Sequence, residues 1–399
     1  MSIFKLKSLI RIACPKRISP YLEQELIKLG YTPDLVDDTG AELMGSLADC
    51  MKLNLWLRTA HRVLFLIDEF EAHHPDDLYK NLLNTPWEEY IPSDGYVSVG
   101  SHVLEESIND TRFANMRAKD AIVDRILSKT NTRPDSGPKD DKTVLFLHWK
   151  EGQASIFIDT SGETIARHGY RQQPWKAPMQ ETLATAVLMS TGYNGEQNLI
   201  NPMCGSGTLA IEAALIATNT APGLMRSNFG FMHLIGFDFS QWKTLRKEAD
   251  QAIKPCKGRI IATDIHGGAI NAIRENARLA EVDDIIEFRV CPFEETNLPK
   301  EGGILVMNPA YGERLGENEE LVSLYASIGD FLKQKAQGYK AYIFTGNLEL
   351  AKKIGLKASK RIEFYNANID CRLLEFELYA GSKRIPNSDP RTERNNEEE

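Results

Sequence analysis

Between the strand-like stretch Asn198-Leu199-Ile200 and the helix-like segment LAIEAALIA lies Asn201-Pro202-Met203-Cys204-Gly205-Ser206-Gly207-Thr208. A strand that ends in closely spaced glycines and runs straight into a helix begins a crossover unit, and such units build parallel sheets. Gly205 and Gly207 let the backbone approach a ligand beside a helix N-terminus, whose first N–H groups lack intrahelical partners. Downstream, strands are predicted at NLIN, RIIATD, IIEFRV, GILVMNP, KAYIFTG, RIEFYNA and LLEFELYA, and helices over 207–217, 267–280, 320–336 and 348–354. The last two strands lie too close for a crossover helix, so they are expected to form an antiparallel hairpin at the sheet edge.

Upstream the pattern is α+β, with no nucleotide-binding glycine motif. Strands are predicted at LKSLIRIACP, HRVLFLIDEF, GYVSVGSHVL, TVLFLHWK and ASIFIDT. Helices are predicted at SPYLEQELIKLG, LADCMKLNLWLRTA, DDLYKNLL and RFANMRAKDAIVDRILSK. The first of these carries apolar residues at 22, 26 and 29 and stops at Gly30. Residues 131–142 read as an exposed loop, and the polar residues after about 384 as a disordered tail.

Three features carry chemistry. Gly205-Ser-Gly207-Thr-Leu-Ala210 fits the dinucleotide pattern G-x-G-x-x-A. A hydride-transfer enzyme would add a ribose-binding acid about 20 residues on. Asp238 comes too late for that; the better strand-end acid is Asp264, which closes RIIAT. At the tip of the second parallel strand a carboxylate can accept both hydroxyls of a ribose, although helix capping is its commoner role. The third feature, Asn308-Pro309-Ala310-Tyr311, follows the strand GGILVM, at the strand C-terminus where open α/β sheets hold ligands. An exocyclic amine on a nucleobase is a poor nucleophile, because its lone pair is delocalised into the ring. The Asn308 side-chain carbonyl and the Pro309 backbone carbonyl can hold its two N–H groups and expose the lone pair, while Tyr311 stacks on the base.

In this order the features resemble the class I S-adenosylmethionine-dependent methyltransferases that act on amino groups. Within these, the chain is similar to the THUMP-domain RNA guanine-N2 methyltransferases, particularly those of bacterial large-subunit ribosomal RNA. The similarity is carried by SHVLEESINDTRFANMRAKDAIVD, RHGYRQQPWKAPMQETLATAVL, NPMCGSGTLAIEAALIA, ATDIHGGAINAIRENARLA and NPAYGERLG. The resemblance implies an α/β class I methyltransferase fold, a Rossmann-like seven-stranded sheet with an antiparallel edge hairpin, preceded by an α+β ferredoxin-like and THUMP half. The implied boundaries are a ferredoxin-like segment at 1–55, a THUMP domain at 56–165, a methyltransferase domain at 166–384 and the tail at 385–399. It implies S-adenosyl-L-methionine as cofactor, held by Asn201, Met203, Gly205, Gly207, Asp264, Ile265, Glu294 and Asn308, with Asn308, Pro309 and Tyr311 catalytic. Three positions depart from the family pattern: Asn201 stands where Asp is usual, Ala310 replaces a second proline, and Cys291 takes the place of an acid that reads the adenine amine, a role left to Glu294.

The implied reaction is N2-methylation of a guanine, most naturally in 23S ribosomal RNA. Competing assignments are a transfer-RNA guanine-N2 enzyme, a DNA adenine-N6 enzyme and a non-catalytic RNA-binding or assembly protein. The formal net charge of −9 does not exclude RNA, which needs only a local basic surface. Such clusters occur at Lys5, Lys7, Arg11, Lys16 and Arg17, and at Lys352, Lys353, Lys357, Lys360 and Arg361. The six cysteines include no CxxC pair and the eight histidines no HExxH spacing, so neither a metal site nor a disulfide framework is expected. No apolar run approaches the roughly 18–20 residues that span a bilayer. The expectation is a cytoplasmic monomer that binds structured RNA, and a fragment of about 170–384 that still binds the cofactor.

Overall fold

A computed structural model describes residues 3–175, 178–311 and 318–378. The expected tail, and the Gly312–Leu315 end of the Asn-Pro loop, lie outside the described residues. The first half comprises β1 (Lys7–Ala13), α1 (Ser19–Lys28), β2 (Leu35–Asp37), β3 (Gly40–Ser46), α2 (Leu47–Trp56) and β4 (Arg62–Glu71). It continues through α3 (Pro75–Asn84), β5 (Tyr96–Leu104), α4 (Thr111–Thr130), β6 (Asp135–Ser136), β7 (Thr143–Lys150) and β8 (Gln153–Asp159). These strands form one mixed sheet in the order β2-β3-β1-β4-β8-β7-β5-β6. The β1–β4 pairing makes the sheet continuous from the N-terminal segment into the following one. Helix α2 ends at Trp56, short of the expected Ala60, because Leu57 turns to extended backbone.

The second half begins with α5 (Glu181–Ser190), β9 (Leu199–Pro202), α6 (Thr208–Ala217), α7 (Phe239–Gln251), β10 (Ile260–Asp264) and α8 (Gly267–Leu279). It ends with β11 (Ile286–Val290), β12 (Gly303–Met307), α9 (Asn318–Lys335), β13 (Tyr339–Thr345), α10 (Leu348–Lys352), β14 (Lys360–Asn366) and β15 (Ile369–Glu377). The sheet order is β11-β10-β9-β12-β13-β15-β14. The first five strands run parallel, and β15 and β14 add the expected antiparallel hairpin. Central strands β9 and β10 are buried throughout, as strands covered by helices on both faces must be. The order of strand addition reverses at β9, with β10 on one side and β12 on the other. The C-terminal ends of these three strands therefore open onto a crevice.

Helix α6 is buried on almost every side, including its one carboxylate, Glu212. Glu212 accepts hydrogen bonds from Tyr170 (2.8 Å) and Thr185 (3.0 Å) and lies 2.8 Å from His168 Nδ1. Burial opposes charging of His168, but the Glu212 carboxylate outweighs it and raises its pKa. Burial likewise disfavours a charged Glu212, but His168 and Arg58 hold its pKa down. The other His168 ring nitrogen lies 3.1 Å from the carbonyl of Arg58, whose guanidinium donates to Leu215 and Thr220 carbonyls. This buried network joins the two halves. At the same junction Arg17 pairs with Asp370 and Glu363 of the edge hairpin. Arg11 also pairs internally, with Asp37 and Glu42, so the N-terminal basic cluster is less free than its sequence suggests.

Candidate active site

A cavity of about 1080 Å³ opens at the C-terminal ends of β9, β10 and β12. Its wall includes Asn201, Met203, Gly205, Asp264, Ile265, Glu294, Asn308 and Tyr311 from the sequence-derived set. Gly207 and Pro309 are not part of that wall.

The turn from β9 into α6 holds Met203, Gly205 and Gly207 at φ of 56°, 56° and 84°. For a side-chain-bearing residue such as Met203 this left-handed backbone costs on the order of 1–3 kcal/mol, a strain typical of ligand clamps. The two glycines serve different ends. A Cβ on Gly205 would meet nothing nearer than Trp175 at 4.0 Å, so the absent side chain leaves open cavity. A Cβ on Gly207 would lie 2.1 Å from Cγ1 of Ile273. The sequence-based idea that Gly207 clears the ligand's path is therefore corrected: it lets α6 start against α8. The Gly207 carbonyl accepts the first-turn N–H of Ile211 at 2.9 Å.

Asp264 is nearly buried. One carboxylate oxygen accepts the N–H of Gly205 at 3.0 Å and the other that of His266 at 2.9 Å. It thus sets the glycine turn and the start of α8, and each oxygen keeps lone-pair capacity for a ligand hydroxyl. Ile265 beside it is 62% exposed, a flat apolar surface at the cavity edge.

Strands β9 and β12 stop pairing after Ile200 and Leu305. There the Asn201 side-chain amide donates to the carbonyl of Val306 at 2.9 Å. An aspartate could not make that bond, which gives the departure at 201 a physical reason. The other end of the amide, Oδ1, is buried without a partner among the described residues, and so is Oδ1 of Asn308. A buried acceptor left unmade costs about 1–3 kcal/mol, so two in one cavity wall point to ligand donors.

Tyr311 has its hydroxyl fixed by the Asn366 side-chain amide at 2.8 Å. Burial pushes that hydroxyl up to about 12, so it stays neutral. Its ring lies against Gly346, where a Cβ would sit 3.1 Å away. Glu294 stands in the short turn Phe293–Glu295 after β11, on the wall as expected.

Sequence reasoning missed the strap before α5. Arg171 donates to the Met179 carbonyl (2.5 Å) and to Thr208 Oγ1 (3.0 Å), and pairs with Glu181. Buried Asn276 of α8 accepts the N–H groups of Gln172 and Gln173 and donates to the carbonyls of Gln173 and Ser206. Between these anchors Trp175 forms part of the wall, 6.1 Å from the His266 ring and close over Gly268. The only signal in the sequence is the aromatic after Pro174, within the stretch RHGYRQQPWKAPMQETLATAVL that carries the family resemblance. Among the described residues no group of three or more His, Cys, Asp or Glu could hold a metal ion, and no helix is long and apolar enough to cross a membrane.

Comparison with known proteins matches this architecture. A family profile described as "RMKL-like, methyltransferase domain" matches residues 168–375. Profiles for the RlmL ferredoxin-like domain and the THUMP domain match 10–64 and 72–159. Among curated relatives, the ribosomal RNA large subunit methyltransferase K/L of Syntrophotalea carbinolica is 42% identical, over 91% of this chain and 53% of its own length. That of Psychromonas ingrahamii is 36% identical, over 92% and 50%. The chain spans about half the length of these relatives. Among solved structures, SMU.472, complexed with SAH, superposes with a TM-score of 0.86 at 26% identity, covering 95% of this chain and 100% of its own. A Clostridium difficile 630 protein described as a possible methylase gives 0.85 at 30% identity, covering 95% and 100%. With ferredoxin-like and THUMP domains preceding a class I methyltransferase sheet, the chain belongs to the RMKL-like methyltransferase family.

Proposed function

We propose that this protein is an S-adenosylmethionine-dependent methyltransferase acting on the 2-amino group of a guanine in large-subunit ribosomal RNA. Asn308 Oδ1 carries the assignment: a buried acceptor without a partner among the described residues, in the wall of a cavity at the strand ends. The residues present fit the cofactor. Asn201 Oδ1 would offer an acceptor to its ammonium group, Gly205 would leave room for its approach, Asp264 would accept ribose hydroxyls, and Ile265 and Glu294 would hold its adenine. When bound, the cofactor supplies a methyl group that is already electrophilic.

What remains for the protein is alignment and exposure of the amine lone pair. Asn308 Oδ1 accepts one amine N–H and draws the nitrogen out of conjugation, an interaction that strengthens as the lone pair attacks. Tyr311, held by Asn366 and Gly346, offers a fixed, neutral ring to the extruded base. The amine proton leaves after methyl transfer, so no strong base is needed. The THUMP match and the ribosomal RNA relatives favour RNA over DNA, and we assign RNA docking to residues 1–165. The test is nucleoside mass spectrometry of large-subunit RNA incubated with the purified chain and S-adenosylmethionine. N2-methylguanosine is expected; 7-methylguanosine or N6-methyladenosine as the product would replace the assignment.

A further inference from the structure

A second hollow, of about 490 Å³, lies where the segment after α6 meets α7. It shares no wall residue with the catalytic cavity. Helix α6, ten residues long, leads from the glycine turn to it, a rise of about 15 Å. Phe239, Lys243 and Arg246 follow one another at helical spacing along one face of α7. Phe239 is 68% exposed, while Trp242 is buried at the base.

The hollow has three cationic wall residues, Arg226, Lys243 and Arg246, and no acidic one, in a chain with more acids than bases. Both arginines spend their hydrogen bonds on neutral backbone carbonyls. Arg246 donates to those of Gly223, Leu224 and Arg226, and Arg226 to those of Glu163 and Thr164. Arg226 Nε is left buried without a partner among the described residues. No carboxylate among the described residues forms an ion pair with any of the three; Glu163, Asp159 and Asp140 act on Arg226 from a distance, while Lys243 and Arg246 are left unpaired. Uncompensated cations around an exposed aromatic ring suit a planar base joined to a phosphate.

We propose that this hollow binds an unpaired nucleotide of the RNA substrate, its base stacked on Phe239 and its phosphate facing Lys243 and Arg246. It would be a docking point remote from the methylated base, at the junction of the two halves. The proposal rests on the RNA-methylating assignment above, but its test is separable.

The full-length chain and its Phe239→Ala and Lys243→Ala variants are titrated with a fluorescein-labelled 12-nucleotide oligoadenylate, by anisotropy, at several salt concentrations. Calorimetry with S-adenosylmethionine checks that each variant keeps parent cofactor affinity. Phe239→Ala is expected to weaken the oligonucleotide at least about fivefold. Lys243→Ala should lower the slope of log affinity against log salt by about 0.7. Variants that bind within twofold of the parent, or a parent that methylates RNA yet does not bind the oligonucleotide, overturn the proposal. If the variants lose the oligonucleotide but the parent methylates no RNA, the hollow stands and the methylation assignment falls. Tighter, Phe239-dependent binding of a polyglutamate peptide would make the hollow a protein-docking site and overturn it as well.

Discussion

Replacing Gly207 by alanine should destabilise the catalytic half without placing any atom in the cofactor's space. The added Cβ would lie 2.1 Å and 2.2 Å from Cγ1 and Cδ1 of Ile273, against an ordinary carbon contact of about 3.5–4.0 Å. Ile273 is buried in α8 and cannot swing away. Overpacking of this kind costs about 1–3 kcal/mol, and left-handed backbone about 1–2 kcal/mol more for alanine than for glycine. Together these give about 2–5 kcal/mol, readable as a lowered urea midpoint of the full-length protein. Gly205→Ala is the control. Its Cβ meets nothing closer than 4.0 Å, so only the backbone cost of about 1–2 kcal/mol applies, while cofactor affinity should fall because the methyl enters the cavity. Adding Ile273→Ala to Gly207→Ala should make the double variant more stable than the sum of the single losses by about 1–3 kcal/mol. A Gly207→Ala protein with the parent's midpoint but weak cofactor binding would refute this division of labour between the glycines.

The His168–Glu212 pair predicts a pH dependence. His168 has its pKa raised above 6.5, so its contribution is whole below that value and lost as pH climbs through the higher folded one. Glu212 is lowered from 4.5, so its contribution is whole above that value and lost as pH falls through the lower folded one. Urea midpoints should therefore be highest between these pH values, and Glu212→Gln should flatten both flanks and lower the plateau by about 3–5 kcal/mol; an unchanged profile would contradict the coupling. A chain cut at residue 170 strips Arg58 and His168 from buried Glu212, so it should lack a cooperative urea transition, contrary to the fragment expected from sequence; a sharp transition would show that the junction network is dispensable. Tyr311→Ala should raise the KM for RNA in step with a loss of about 1–3 kcal/mol of stacking, whereas Tyr311→Phe should come close to the parent, since it removes only the bond to Asn366.

The catalytic half was legible because its information is local. Strands β9, β10 and β12 are short apolar runs that end in chemistry-bearing residues, and α8 shows buried residues at 269, 270, 273, 276 and 277, a helical stripe. The missed pieces lack such signals. Helix α5 is buried nearly all round and shows no polar face, and α7 buries only Trp242 and Ala249. The β2–β3 hairpin reads as turn residues with little alternation, and its place at the edge of a continuous sheet is a long-range fact. The site was half visible for the same reason. Asn201, Asp264 and Asn308 stand in motifs, while Trp175, Asn276 and Asn366 act through partners 55 to 104 residues away in sequence, a relation no spacing records: Asn276 with Gln172, for example, or Asn366 with Tyr311.

The central claim is that Asn308 acts on the amine through an acceptor that has no other partner among the described residues. Single-turnover methylation of large-subunit RNA by the parent and by Asn308→Ala, with cofactor saturating, tests it most directly. The variant should bind cofactor and RNA much as the parent does, yet transfer the methyl group about 10²–10³ times more slowly, the loss typical of one oriented polar contact made in the transition state. A rate within about threefold of the parent would contradict amine positioning and leave the Asn-Pro segment as a turn after a buried strand.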